Sequence, residues 1–193
     1  MTDYKSNIEI KELVAKVRKS DVRAQRKLYD LLVLKMYNTV HRVLANREDT
    51  LDCLQNGFAS IFKKINNYDA DKGAFVSWAT RIFINEALGM IRKRKMRFEE
   101  ISDNVIILNN ESTAIDTLEA EYIMELIADL PDQYRIIFNL YEIEGYSHKE
   151  IAQKLNIGES SSRTYLTRAK LKLKKQIRKK YNMGSDFKKT NSI

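Results

Sequence analysis

The segment YSHKEIAQKLNIGESSSRTYLTRAKLKLKKQI, residues 146–177, decides the fold of the chain around it. Ser147 and Glu150 form an S-x-x-E capping box, in which each side chain satisfies a backbone donor that a helix start leaves free, so a helix begins there. Ile151, Ala152 and Leu155 share one face, and Ala152 is small where a second helix must cross closely. Asn156, Ile157 and Gly158 follow, and Asn and Gly tolerate the left-handed backbone of a sharp helix-to-helix turn. From Glu159 onward Ser162, Leu166, Ala169, Leu173 and Ile177 recur at helical spacing as an inner stripe, with Ser162 polar where an apolar residue would pack better. Ser160, Ser161, Arg163, Thr164, Thr167, Arg168 and Lys170 face outward. Two helices around a tight turn, the second displaying polar and basic side chains, make a helix-turn-helix fitted to a DNA groove.

In such a motif the first turns of the second helix meet base edges, where Arg pairs bidentately with guanine and Ser or Thr serves any base. Arg163 and Thr164 are the best placed to read sequence. Arg168, Lys170, Lys172, Lys174 and Lys175 come later and spread round the helix, which suits phosphate neutralisation. A plain antiparallel helix pair with a solvated basic tail is the competing reading. Capping box, turn chemistry and charge together favour DNA.

The charge balance agrees: 34 Lys and Arg against 26 Asp and Glu give a net charge of +8 over 193 residues. Its arrangement says more. No basic residue lies between Arg97 and Arg135, a stretch holding Glu99, Glu100, Asp103, Glu111, Asp116, Glu119, Glu121, Glu125, Asp129 and Asp132. Positive charge is thus divided into two blocks by an acidic bridge. One proline and six glycines favour an all-α protein, here two small helical domains joined by an acidic linker. Cys53 is the one cysteine, which excludes an internal disulfide, suits a reducing cytoplasm and reads as a small core residue. No apolar run spans a bilayer and no signal segment opens the chain, so a soluble cytoplasmic protein is expected. His41 and His148 are isolated, and neither a cysteine cluster nor a glycine-rich phosphate loop is present. No metal, cofactor, small-molecule substrate or enzymatic activity is expected.

Ile8, Leu13, Val14 and Val17 predict a short first helix ending before Ser20. Asp21 caps the next, in which Ala24, Leu28, Leu31, Leu32, Tyr37, Val40, Val43 and Leu44 recur until Asn46 closes it in left-handed geometry. A helix over 48–65 carries Leu51, Leu54, Phe58, Ile61, Phe62 and Ile65 as its apolar stripe. After the polar turn NNYDADKG at 66–73, Phe75, Trp78, Ile82, Phe83, Leu88 and Ile91 begin another helix, which ends in the run IRKRKMR at 91–97. That run reads either as a solvated helix end complementing the dipole or as a nucleic-acid contact. Tyr68, Phe75 and Trp78 upstream tilt the choice, since planar groups offer stacking surfaces to unpaired bases, although Phe75 and Trp78 also suit a core. Residues 98–117 lack periodicity and read as the linker. Beyond it Leu118, Ile123, Leu126, Ile127 and Leu130 pack, Pro131 takes the first position of a helix lined by Ile136, Ile137, Leu140 and Tyr141, and Gly145 closes that helix. The expected domains are 1–97 and 118–181, with a disordered tail over 182–193.

The run LPDQYRIIFNLYEIEGYSHKEIAQKLNIGESSSRTYLTRAKLKL is similar to the fourth conserved region of bacterial sigma factors. REDTLDCLQNGFASIFKKI and GAFVSWATRIFINEALGMIRKRKM resemble the second region. With these two regions alone, in this order, the chain resembles the extracytoplasmic-function group of the sigma-70 family. The resemblance implies an RNA polymerase initiation subunit that directs the core enzyme to promoters and opens them, with no active site of its own.

By matched position it implies that Asp49, Asp52, Leu54, Gln55, Phe58 and Phe62 lie on the helix pressed against core polymerase, with Asp52 and Gln55 expected to be exposed and Leu54, Phe58 and Phe62 able to serve as core. It implies that the loop 66–73 and the following helix capture a flipped base of the downstream promoter element, with Asn67, Tyr68, Asp69, Phe75 and Trp78 as pocket candidates. Extruding a base costs on the order of a few kcal/mol, which such a pocket can offset. Arg81, Asn85, Arg92 and Arg94 would follow the opening backbone, and Arg163, Thr164, Arg168 and their neighbours would read the upstream element as duplex. An acidic linker could occupy a basic nucleic-acid channel until RNA displaces it. Core polymerase and promoter DNA are the implied partners, an anti-sigma factor is a further one in many relatives, and the free protein is expected to be monomeric. The family's recognition helix often begins with Thr, Val and a basic residue where this chain has Ser161, Ser162 and Arg163, and Tyr165 replaces a commonly basic position, so promoter preference does not transfer. The rival reading is a stand-alone regulator with an N-terminal sensing or dimerisation domain, which would bind DNA tightly without polymerase.

Overall fold

The computed structural model of the chain describes residues 2–99 and 118–189, with side chains over 9–93 and 122–178. Eight α-helices run through the described residues, with no strand among them, and they fall into two compact units on either side of the acidic segment. The architecture is the expected all-α one.

In the first unit α1 (Thr2–Val17) packs on α2 (Val22–Leu44), and α2, α3 (Arg47–Lys64) and α4 (Phe75–Glu99) pack on one another. Asp21 starts α2 as expected, accepting the Ala24 N–H at 3.0 Å. The other end differs from expectation. Ala45 takes the left-handed conformation at φ 49°, while Asn46 is extended and accepts the Asp49 N–H at 2.9 Å as the cap of α3. Asn suits both tasks, but only its side-chain oxygen can satisfy a helix start, so the left-handed position falls to its neighbour. Leu28, Leu32, Met36, Val40, Cys53, Ile61, Phe83, Ile84 and Leu88 form the core. Leu31 and Leu51, expected inside, are 44% and 45% exposed, because each sits about 100° round its helix from a buried neighbour. Cys53 is core, and burial foremost pushes its thiol up to about 12. At Gly57 the Phe83 ring of α4 lies where a side chain would otherwise be, which brings α3 and α4 into close contact. Helix α4 includes residues 98 and 99 that the sequence assigned to the linker, and the remaining linker residues, 100–117, lie outside the described residues.

The second unit consists of α5 (Leu118–Ala128), α6 (Asp132–Phe138) continuing through a π-helical turn at Asn139–Ile143, α7 (His148–Leu155) and α8 (Glu159–Lys189). Leu126, Ile127, Leu130, Ala169 and Leu173 form one apolar cluster, whereas Ile123, expected to pack, is 46% exposed. Pro131 is the extended residue before α6 and not its first helical position, since its ψ of 142° is outside the helical range. Arg135 is buried and bridges the turn, with Nη1 donating to Leu130 O at 3.2 Å and Nη2 paired with Asp132 at 2.9 Å. The capping box is complete: the Glu150 N–H reaches Ser147 Oγ at 3.3 Å and the Ser147 N–H reaches Glu150 Oε2 at 2.9 Å. Asn156 alone supplies the left-handed turn, at φ 54°, and Gly145 closes the preceding helix at φ 74°. Helix α8 continues through residues 182–189, where a disordered tail was expected, because that stretch contains no proline and its Gly184 does not leave the helical range; residues 190–193 lie outside the described residues.

Gly57→Ala should lower the stability of the protein by about 1–3 kcal/mol through overpacking against Phe83. Ala45→Gly should raise it by about 1 kcal/mol by relieving the left-handed alanine. Urea unfolding of the two variants beside the parent checks both.

Candidate nucleic-acid interface

The outer face of α8 is built by the turn before it. The Ser162 N–H donates to Gly158 O at 3.1 Å, which starts the helix, and the inner stripe of Leu166, Ala169 and Leu173 then turns Arg163, Thr164, Thr167, Arg168 and Lys170 to solvent. Ser160 is exposed and Ser161 half-buried. Thr164 Oγ1 donates to Ser160 O, and Thr167 Oγ1 to Arg163 O, each at 3.0 Å. Their hydroxyl protons are therefore committed within the helix, which leaves each a methyl group and acceptor lone pairs to present outward. Arg163 pairs with Glu159 one turn earlier, and Lys170 pairs with Glu142 of the π-helical turn at 2.7 Å. Lys170 was expected to serve phosphate directly, and that pairing was not legible. Tyr165 packs toward Tyr134, ring centroids 5.9 Å apart.

Ser162, the polar oddity of the inner stripe, is fully buried and has a partner. His148, at the first position of α7, lies with Nδ1 at 2.9 Å from Ser162 Oγ and with its ring stacked on Tyr141 at 4.3 Å. The isolated histidine and the misplaced serine thus explain each other, and the pair ties α7 to α8. Tyr141, expected in the helix lining, is 37% exposed and contributes this stack. Burial foremost, and then the Arg163 guanidinium, hold the imidazole below its ordinary range, with Lys170 acting the same way and Glu159 and Glu142 against.

In the first unit the loop after α3 has two short 3-10 turns, Ile65–Asn67 and Ala70–Lys72. Tyr68, Phe75 and Trp78 form a ring cluster with centroids 5.0 to 5.6 Å apart. Tyr68 and Phe75 are 6% and 2% exposed, so they build the loop and do not offer a free stacking face, which corrects that expectation for both; Trp78 is half-buried. Tyr68 Oη donates to Gly73 O at 3.0 Å. Asn67 and Asp69 are exposed. Asp69 accepts the Asp71 N–H at 3.0 Å and pairs with Lys72 at 3.4 Å, and that backbone bond foremost holds its carboxyl below the usual range. Along α4, Trp78, Arg81, Asn85 and Arg92 share one stripe, and the last three are exposed. Arg94 lies in the helix with its side chain outside the described residues.

On α3, Asp52 and Gln55 are exposed and Asp49 half-buried, while Leu54 and Phe58 are 6% and 5% exposed, which places both in the core and not on a contact face. Phe62 is half-buried. Leu51, 45% exposed, is an apolar group beside Asp52 and Gln55. Among the described residues no group of three His, Cys, Asp or Glu could hold a metal ion, and no helix is long and apolar enough to cross a membrane.

The family model for sigma-70 region 2 matches residues 28–97, and that for sigma-70 region 4 matches residues 120–173. The chain is 28% identical over 186 residues to the ECF RNA polymerase sigma factor SigW of Bacillus subtilis, covering 88% of this chain and 97% of that one. It is 26% identical over 151 residues to the ECF RNA polymerase sigma factor SigE of Mycolicibacterium smegmatis, covering 75% and 58%. In fold it is similar to the sigma factor RpoE solved in complex with the anti-sigma factor NepR from Bartonella quintana, at TM-score 0.55 and 18% identity, covering 81% of this chain and 98% of that one. It is also similar to CnrH solved in complex with the cytosolic domain of CnrY, at TM-score 0.50 and 20% identity, covering 88% and 97%.

Because the fold favours neutral His148, its stabilising contribution is complete above the unfolded-state value of about 6.5 and is lost as pH falls through the lower folded value. The thermal midpoint of the parent should therefore fall more steeply between about pH 7 and pH 5 than that of His148→Gln, which keeps a hydrogen-bonding group without a titrating one. Parallel melting curves at both pH values check the difference.

Proposed function

Because the chain belongs to the sigma-70 family, as an RNA polymerase sigma factor of the extracytoplasmic-function group that binds core RNA polymerase and promoter DNA, we propose that its two units divide the promoter between them. The second unit reads the upstream element as duplex, and the first captures the downstream element as its strands part. The observation that supports this reading is a pair of separate exposed faces, one on α8 and one along the 65–73 loop and α4.

In the upstream element Arg163 and Thr164 meet base edges, with Arg163 exchanging Glu159 for the paired acceptors of a guanine. Arg168 and Lys172 neutralise phosphates. In the downstream element Asn67 and Asp69, held out by the ring cluster beneath them, hydrogen-bond an extruded base, and the half-buried Trp78 supplies an apolar edge. Arg81, Asn85, Arg92 and Arg94 then follow the strand along α4. Leu51, Asp52 and Gln55 form the face toward core polymerase, an apolar centre with a polar rim. The acidic segment between the units occupies the basic channel that RNA later fills. The protein contributes no catalytic group of its own, acts in the cytoplasm as a monomer before it meets polymerase, and pairs with an anti-sigma factor, as RpoE does in its complex with NepR.

Holoenzyme reconstituted on genomic fragments, with transcript starts mapped, tests the division. Arg163→Ala should cost about 1–3 kcal/mol in promoter affinity and relax preference at a single upstream position. Arg168→Ala should weaken all promoters alike and reduce the salt slope by about 0.9. Unchanged upstream preference in the Arg163 variant would sink the assignment of that face. Asp52→Arg should weaken core binding at least about tenfold, roughly the 1.4 kcal/mol of a lost rim contact, with an unaltered melting curve; an unchanged titration against labelled core enzyme would remove α3 from the interface.

A further inference from the structure

Arg18 follows the end of α1, where its N–H still donates to Val14 O at 3.0 Å, and its side chain leaves the helix to reach a segment far along the chain. Nε donates to Ile65 O at 3.3 Å and Nη2 donates to Tyr68 O. These carbonyls belong to the two ends of one 3-10 turn, which the Tyr68 N–H closes on Ile65 O at 3.2 Å. One guanidinium therefore clips both ends of the turn that displays Asn66 and Asn67. The turn has no side-chain cap of its own at its start, and the far side of the loop is tied separately by Tyr68 Oη to Gly73 O. Ile65 O also lies just past α3, where a cation complements the carbonyl end of the helix.

We propose that Arg18 is a positioning residue for downstream promoter recognition, holding the 65–69 turn in the shape that receives an extruded base. This rests on the loop reading given above. The argument is one of preorganisation: a base pays less to enter a turn already fixed than one it must order, so the clip raises affinity without touching DNA. Arg18 is itself exposed and is not one of the core residues.

The experiment uses holoenzyme on a promoter whose downstream element is varied one base at a time, with open-complex formation as the readout. Arg18→Ala should reduce discrimination between the preferred and the substituted base at least about fivefold, comparable to one lost hydrogen bond, while core affinity and upstream preference stay at parental values. Arg18→Lys, which keeps the charge but offers a single donor nitrogen where the guanidinium uses two, should recover part of it. Asn67→Ala and Asp69→Ala serve as the control for the loop itself. If these flatten discrimination and Arg18→Ala does not, or if Arg18→Ala lowers only the melting temperature, the positioning role is overturned and the loop reading survives. If neither set of variants alters discrimination, the loop reading fails and the role of Arg18 fails with it. Should Arg18→Ala not fold, Arg18→Gln and Arg18→Lys carry the same comparison.

Discussion

Every helix ends with backbone groups that have no partner inside it, and this chain is organised by how those groups are met. At helix starts the acceptors are short side chains: Asp21 for α2, Asn46 for α3 and Ser147 for α7. Left-handed residues at Ser20, Ala45 and Asn156 reverse the chain where helices stop. Two arginines complete the set from a distance, Arg18 on the carbonyls after α3 and Arg135 on those after α5. Each cap contributes about 1 kcal/mol, so none alone holds the fold. Their effect is geometric, since a helix whose end is pinned can present only one face to its neighbour.

This also explains what the sequence revealed. Asp21 and the Ser147–Glu150 box were legible because a cap is written within four residues. Asn46 was legible as a boundary but not as to its role, for Asn serves equally in a left-handed stop and as a cap acceptor. Leu31, Leu51 and Ile123 were assigned inward because periodicity fixes spacing better than phase, and a residue one step round the helix shares the same pattern. Of the outer residues of α8, all but the half-buried Ser161 are exposed, because their inward neighbours, Ser162 apart, are apolar. Of the aromatic trio, Tyr68 and Phe75 are buried in the loop and Trp78 is half-buried, a difference composition could not give because it does not say whether a ring faces outward or supports the loop beside it.

Long-range pairs lay beyond that reach. Ser162 was visible as a polar residue in an apolar stripe, and His148 as a lone histidine, but nothing in either position names the other. Arg18 was one of 34 basic residues and carried no local mark at all. In a chain this rich in cations, a side chain that clips a backbone turn cannot be told from one that merely faces water. Only the fold separates them.

The electrostatics of α8 bear on how such a chain can be both basic and selective. Arg163 and Lys170 are each opposed by a carboxylate, Glu159 and Glu142, so the attraction of this face for any phosphate is reduced. Exposed ion pairs are worth at most about 1 kcal/mol, whereas a bidentate arginine on guanine is worth about 1–3 kcal/mol. In the proposed reading of the upstream element, a matched base would therefore displace Glu159 readily and a bare backbone would gain little by doing so. If the two faces divide the promoter as proposed, joining them in one chain would make binding depend on both being engaged, since the second then binds at the effective concentration set by the segment between them. In that proposed division, core polymerase would supply the condition under which a product of two modest affinities becomes large.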